Sequence, residues 1–325
     1  MTPVELSRTV LRAVRRAVDD GELSVSVPER AVVTVPGPGG CGDYATNIAL
    51  QLSRPAGQSP MRVAEILVPH LVHAAGVEDV VVTGPGFLNI SLSPAVSPTA
   101  ALVAQIRALG SGYGHGDALA GQVVALRVPY DVRAEVVADA VVRIVATQGG
   151  RGEVGHGEPV SLRPVPAPED PAPLGPDAAQ WALLHPAAHD RPRITADHLV
   201  QRESNPLFRV RYAHARARAV GRGAGRLGFG AEPGDVPGTQ GDLVSALADY
   251  PRILTAAATH RAPDRLARHL VTVADAALPF LPTVLPRGDE KPSVAHRARL
   301  ALAEATGTVL AGGLSLLGID APDHL

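Results

Sequence analysis

Nine arginines fall between positions 191 and 226 (191, 193, 202, 209, 211, 216, 218, 222 and 226) against two acids, Asp197 and Glu203. That is a local net charge of +7 in a chain whose overall net charge is −2. Guanidinium groups at this density suit phosphate, because each is a planar fork of donors that can meet two backbone oxygens at once. Spacing sharpens the reading. At about 100° per residue, Val210, Ala213, Ala217 and Val220 share one face of a helix expected over 206–222. Arg211, Arg218 and Arg222 then lie close to +100° from Val210, and Arg209 and Arg216 close to −100°. Two arginine stripes flank an apolar seam, with His214 at its edge. A solvated helix in an arginine-rich chain gives the same stripes, so spacing alone leaves both readings open.

No other constellation competes with this one. Lys291 is the single lysine, in the polar stretch RGDEKPSV, so the other 29 basic residues are arginine and phosphate-loop or Schiff-base chemistry has no second lysine to use. His70 and His73 have helical i, i+3 spacing, but no acid or thiol in the local sequence completes a metal-ligand set. The GHG stretches around His115 and His156 read as turns, lacking the helix start and acidic partner of a dinucleotide site. GPGG and GPGF lack the lysine and hydroxyl of a P-loop, and no serine stands in a Gly-x-Ser-x-Gly elbow. Cys41, the one cysteine, has no evident base beside it and excludes an internal disulfide. From the residues alone, the chain offers no catalytic group, no metal site and no cofactor site.

The elements that must carry the arginines follow from periodicity and punctuation. An amphipathic helix over about 3–19 places Val4, Leu11 and Val18 near one face. VSVPERAVVTVP reads as extended chain, and PGPGGCGDY as a turn in which Asp43 caps the next helix. Ala45, Ile48, Ala49 and Leu52 make that helix's stripe and Pro55 stops it; Pro60 opens another helix through His73. VEDVVVTGPGFLNISLS reads as strand, turn, strand, and SPTAALVAQIRALG as a helix, closing an α/β module over 1–115. QVVALRVPY reads as a buried strand followed by a helix, and the proline-dense GEPVSLRPVPAPEDPAPLGPD as a linker or surface loop. Helices are then expected at 176–185, 195–203, 206–222, 240–259, 261–278 and 293–317, forming a bundle over 191–325. The class expected is α+β in three parts, 1–115, 116–190 and 191–325. At 325 residues and 46% apolar content the chain can bury a real core. No stretch reads as a signal peptide or bilayer span, so a cytoplasmic protein without a membrane partner is expected.

Several stretches, in order, resemble the arginyl-tRNA synthetases of class I. GDYATNIALQLSRP (42–55) and GPGFLNISLS (84–93) are similar to that family's N-terminal additional domain. NPLFRVRYAHARARAV (205–220) is similar to the segment opening its helical anticodon-binding domain, with Asn205, Pro206, Val210 and the run Tyr212-Ala213-His214-Ala215-Arg216 corresponding. ARLALAEATGTVLAGGLSLLGIDAPDHL resembles the family's last helix and tail, and GPDAAQWALLHP and RPRITADHLVQRES resemble the stretch before the anticodon segment. The implied architecture is an N-terminal α/β additional domain, a truncated remnant of the class I nucleotide-binding fold within 116–190, and an all-α DALR-type bundle at 191–325.

The resemblance also implies what is lost. Class I synthetases hold ATP phosphates with His-x-Gly-His and stabilise adenylation with the lysines of a KMSKS loop. None of the 12 histidines here opens His-x-Gly-His, and Lys291 lies beyond the position of such a loop. A paralogue without most of the catalytic domain is implied, non-catalytic and binding tRNA, with tRNA-Arg among the candidates. By resemblance Tyr44 and Asn47 belong to the D-loop contact, and Tyr212, Arg216 and the C-terminal tail to the anticodon module; Arg209, Arg211, His214, Arg218 and Arg222 join them as tRNA-binding candidates on the same helix. Arg211 stands where the family has Gln, and Phe280-Leu281 where it has an aromatic pair. More charge and fewer aromatics point to backbone contact rather than base reading. A protein-interaction scaffold that kept the fold without RNA is the alternative, and an active ligase ranks third.

Overall fold

Leu6, Val10, Ala13, Val14 and Ala17 recur at helical spacing and are fully buried, which fixes the inner face of α1 (Pro3–Asp19). Leu11 and Val18, expected at the centre of that face, sit at its margin. The computed structural model describes residues 3–37, 40–74, 76–92, 97–236 and 241–325, and its chain divides into two compact units, 1–96 and 97–325.

The first unit adds β1 (Val33–Thr34), β2 (Tyr44–Thr46), α2 (Ile48–Ala56), α3 (Pro60–Val72), β3 (Val77–Thr83) and β4 (Phe87–Leu92). Its sheet is antiparallel throughout, in the order β1-β2-β4-β3, with Tyr44 opposite Ile90 and Thr83 opposite Phe87. The three helices share one core with the sheet, built on Ile48, Leu52, Val63, Leu67, Leu88 and Ile90. Asp43 does not cap α2: the short strand β2 intervenes, and the Asp43 carboxylate accepts from the Leu92 N–H at 2.8 Å, tying the loop to β4 instead. Pro55 lies inside the last turn of α2, which ends at Gly57 in the left-handed conformation (φ 64°). Ser59 caps α3 by accepting from the Arg62 N–H.

The second unit comprises α4 (Pro98–Leu109), β5 (Val123–Val128), α5 (Val132–Ala146), β6 (Arg151–His156), α6 (Pro176–Leu184), α7 (Pro206–Arg226), α8 (Gly241–Thr259), α9 (Pro263–Phe280) and α10 (Val294–Leu316). One apolar core runs through it from Val103 to Ile319. α4, read from sequence with the first module, packs against α10. β5 and β6 pair in parallel around the crossover helix α5. A strand stands where a turn is expected around His156, and β5 alternates exposed and buried rather than being buried throughout. Half of such a two-stranded sheet has no second layer to hide against.

The proline-rich stretch is packed, not free. Arg133 of α5 is fully buried, and its five guanidinium N–H groups reach five backbone carbonyls: Leu183 (3.0 Å), Val165 (2.6 Å), Asp190 (2.7 Å), Pro186 (3.2 Å) and Ala187 (2.9 Å). Arginine has no other side-chain donors to satisfy, so one side chain staples the proline-rich stretch at Val165, and the chain leaving α6 at 183–190, to α5. The helix expected over 195–203 is only a 3-10 turn at Ala196–Leu199. The Asn205 amide donates to the carbonyls of His198 and Val200, and Val200 itself is extended, which ends any helical ladder there. The remaining five helices match expectation to within about a turn, α10 opening on a capping box between Ser293 and His296.

Candidate nucleic-acid interface

α7 carries the arginine stripes, and its start is well defined. Asn205 accepts from the N–H groups of Leu207 and Phe208, and Pro206 fills the first helical position, where no N–H is needed. Val210, Ala213, Ala217 and Val220 are buried against the core as their spacing requires. The helix runs one turn past the expected end, to Arg226.

The stripes have internal partners that sequence spacing does not reveal. Arg209 pairs with Asp275 of α9 at 3.2 Å, and Arg211 with Asp177 of α6 at 3.3 Å. Arg218 meets both carboxylate oxygens of Asp323 in the C-terminal tail, at 2.8 and 3.4 Å. Arg222 donates to the Asp323 carbonyl and reaches His324 Nδ1, each at 3.3 Å. His214 is only 4% exposed; its Nδ1 lies 3.1 Å from the Pro322 carbonyl and donates to it. Burial pushes the His214 pKa below the ordinary histidine value, which favours the uncharged imidazole under the tail. The tail is further fixed where the Asp320 N–H donates to Asp177. A hollow of about 760 Å³ lies between α7 and α10, lined by His214, Arg218, Arg222, Glu304, Thr308 and Asp323 among others.

Two arginines of this helix, Arg216 and Arg226, are exposed and make no hydrogen bond or ion pair among the described residues. Phe208, Tyr212 and Arg216 follow one another every four residues along the same row. The Phe208 and Tyr212 rings stack at 5.4 Å with 15° between planes, and Tyr212 is 38% exposed. The row thus offers a flat apolar surface running into a free guanidinium. Phe208 escaped the sequence reading, although its i, i+4 relation to Tyr212 was there to be seen. Arg211, which adds charge where the family has Gln, is neutralised by Asp177. Phe280 and Leu281 are core residues.

In the first unit, Tyr44 is half-buried on β2 and packs against the core. Asn47 precedes α2 without capping it; its side-chain Oδ1 accepts from Gln51 Nε2 at 3.2 Å. Neither lines the hollow of about 420 Å³ beside the β3–β4 turn, whose walls include Gly40, Thr83, Pro85, Phe87 and Asn89. Asn89 is buried, donating to Thr83 Oγ1 at 2.6 Å and the Val81 carbonyl at 3.3 Å, while the Phe87 ring is 41% exposed at the rim. The GPG turn depends on Gly86, whose φ of 125° and contact with the Pro60 backbone leave no room for a side chain. His70 lies 2.8 Å from Glu22, a partner distant in sequence, while His73 bonds the Pro69 carbonyl. Among the described residues no group of three histidines, cysteines or acids is placed to hold a metal, and no helix is long and apolar enough to cross a membrane.

Comparison with known proteins gives the geometry a family. Residues 5–92 match the model of the arginyl tRNA synthetase N terminal domain, and residues 210–325 match the DALR anticodon binding domain. The chain is similar to the arginine–tRNA ligase of Renibacterium salmoninarum, 47% identical over 127 residues; the match covers 38% of this chain and 23% of the ligase. Less than a quarter of that ligase's length is therefore represented. Among solved structures it is similar to Thermus thermophilus arginyl-tRNA synthetase, at 15% identity and a TM-score of 0.48 with all of both chains covered. It is also similar to the Plasmodium falciparum enzyme, at 8% identity and a TM-score of 0.47 with 99% of each covered. With the two domain matches at either end of a mixed α/β and helical architecture, this chain is a relative of the arginyl-tRNA synthetases.

Proposed function

We propose that the chain is a non-catalytic tRNA-binding protein that holds its RNA mainly through backbone contacts. The observation that carries this reading is the row Phe208, Tyr212 and Arg216 with Arg226 on the opening helix of the DALR domain: stacked rings and unpartnered guanidiniums on one exposed helix. Rings stack on unpaired bases and guanidiniums meet phosphate, the two contacts that single-stranded loops offer. In this reading Arg218 and Arg222 also contribute once the tail moves, Arg209 and Arg211 shape the helix surface through their ion pairs, and His214 seats the tail. Phe87 over the β3–β4 hollow gives the N-terminal unit a second stacking plane, on the strand that pairs with the one carrying Tyr44.

The βαβ unit β5-α5-β6 reads as a remnant of a class I nucleotide-binding fold, followed by the stapled proline-rich segment and, over 191–325, by the anticodon-type bundle. The sequence holds no His-x-Gly-His and one lysine, which supports binding without adenylation. Titrating labelled tRNA at low and moderate salt tests the reading. Binding that weakens steeply as salt rises is expected; tRNA left free by micromolar protein at low salt ends it, and formation of arginyl-AMP refutes the non-catalytic part.

The four ion-paired or tail-bound arginines of α7 favour a second reading, a protein-interaction scaffold that kept the fold without RNA affinity. A stoichiometric protein partner in a pull-down, with no RNA, separates it from the first.

A further inference from the structure

Among the described residues, α1 carries a row of exposed arginines that no acid of the protein engages. At about 100° per residue, Arg8, Arg12 and Arg15 fall within a sector of about 60°, with Arg16 at its edge, while the buried Leu6, Val10, Ala13, Val14 and Ala17 centre on the opposite side. All four arginines are exposed. Arg8, Arg15 and Arg16 make no hydrogen bond or ion pair, and Arg12 only donates to Thr9 Oγ1 at 3.0 Å. Arg8, Leu11, Arg12 and Arg15 line a shallow hollow of about 440 Å³. Asp19 shares the sector one turn beyond Arg15 and pairs with none of them.

We propose that this face of α1 is a separate contact for the phosphate backbone of the bound tRNA, made by Arg8, Arg12 and Arg15 with Arg16 beside them. The inference rests on the tRNA-binding reading above. Like charges at i, i+3 and i, i+4 repel, and Asp19 at one end of the row pairs with none of them, so the row costs the free protein stability that an external polyanion returns. Successive members rise about 6 and 4.5 Å along the helix, a ladder of forked donors rather than a single anion pocket. An anionic membrane is the other surface such a helix meets, but interfacial helices bind by inserting an apolar face, and that of α1 is spent in the core.

The test is titration of labelled tRNA into the full chain and its Arg8→Gln/Arg12→Gln/Arg15→Gln variant, between about 50 and 200 mM salt. Glutamine keeps helix propensity and the sites are exposed, so the fold persists, as a thermal melt verifies. The variant is expected to bind roughly tenfold more weakly, with the slope of log K against log salt reduced by about two to three. The triple Arg→Lys variant, which keeps the charge, is expected to retain most of the binding. Unchanged affinity and slope in the glutamine variant overturn the inference. If Arg216→Gln/Arg226→Gln weakens binding while the α1 variant does not, the inference falls and the tRNA-binding reading stands. If the wild type leaves tRNA free at low salt, both fall. Sedimentation of the wild type, but not the variant, with phosphatidylserine vesicles while both bind tRNA equally assigns the face to lipid and also overturns it.

Discussion

On α7, Asp275, Asp177 and the C-terminal tail occupy four of the five stripe arginines; on α1, the described acids occupy none. Both helices look alike in sequence, each an apolar seam edged by arginine at helical spacing. Spacing fixes only the azimuth of a guanidinium. Whether it stays available depends on which acids the fold brings up from elsewhere, and those of α7 come from α6, α9 and the tail. The denser basic segment is therefore the less available one, and the sparser helix offers its charge outward. Arg133 is the limiting case of occupation: burial lowers its pKa, and every donor ends on a backbone carbonyl of its own chain.

That contrast is sharpest in stability. Arg133→Met keeps the volume but strands five carbonyls, and is expected to cost about 3–5 kcal/mol in urea unfolding. Arg216→Met, on an exposed and unpartnered site, is expected to stay within about 0.5 kcal/mol of wild type. Equal effects at the two positions refute the division of arginines drawn here. In binding the order reverses. Arg216→Gln/Arg226→Gln is expected to weaken tRNA binding roughly tenfold and to lower the salt slope by about two. Arg209→Gln/Arg211→Gln removes charges already neutralised by Asp275 and Asp177, so the slope is expected to hold; a slope that falls as far as in the first variant breaks the comparison.

What was legible follows the same division. Local signals served well: the capping of α7 by Asn205, the antiparallel β3–β4 turn and the bundle helices all follow from punctuation and period. Long-range partnerships did not show. Nothing near Asp43 announces that it will hold Leu92, nothing near Arg133 predicts the carbonyls of 165–190, and nothing around 206–222 points to Asp323. The helix expected at 195–203 failed for a similar reason, because the Asn205 side chain claims the carbonyls the ladder would need. β6 was missed because RGEVGH has two glycines and two polar ends, and only its pairing with β5 makes it a strand. Of the candidate site, the arginine stripes were readable and their occupancy was not.

A smaller effect follows from buried histidines. His185, His214 and His269 each have a pKa lowered by burial. The unfolded chain then takes up protons first as pH falls, so their contribution is complete above the ordinary value of about 6.5 and is lost on acidification below it. The urea midpoint is expected to drop between about pH 7.5 and 5.5. His214 is flanked by Arg218, which opposes its protonation, and by Asp323 and Asp320, which favour it. Tail amides are expected to lose protection, measured relative to their intrinsic exchange rates, as pH falls through this range, and His214→Asn to remove that part of the dependence; protection factors that do not change with pH separate the tail from His214.

The tail itself gives the smallest and most discriminating change. The Asp323 carboxyl is held below the usual carboxylate range by its hydrogen bond from Arg218, so it stays ionised throughout the histidine range and acidification there leaves the pair intact. Asp323→Asn is therefore needed to release Arg218. The pair is exposed, and exposed pairs stabilise little, so global stability is expected to be unchanged. What changes is competition: the wild-type carboxylate occupies donors that a phosphate would use. Freeing them is expected to tighten tRNA binding about two- to fivefold and to steepen the salt slope by about one. Tighter binding brings Arg218 over to the same side as Arg216 and the α1 row, an occupied arginine made available by removing one charge. Weaker binding instead means that the tail holds Arg218 and Arg222 in the geometry the RNA requires, and occupation of the α7 stripes is then preparation rather than obstruction.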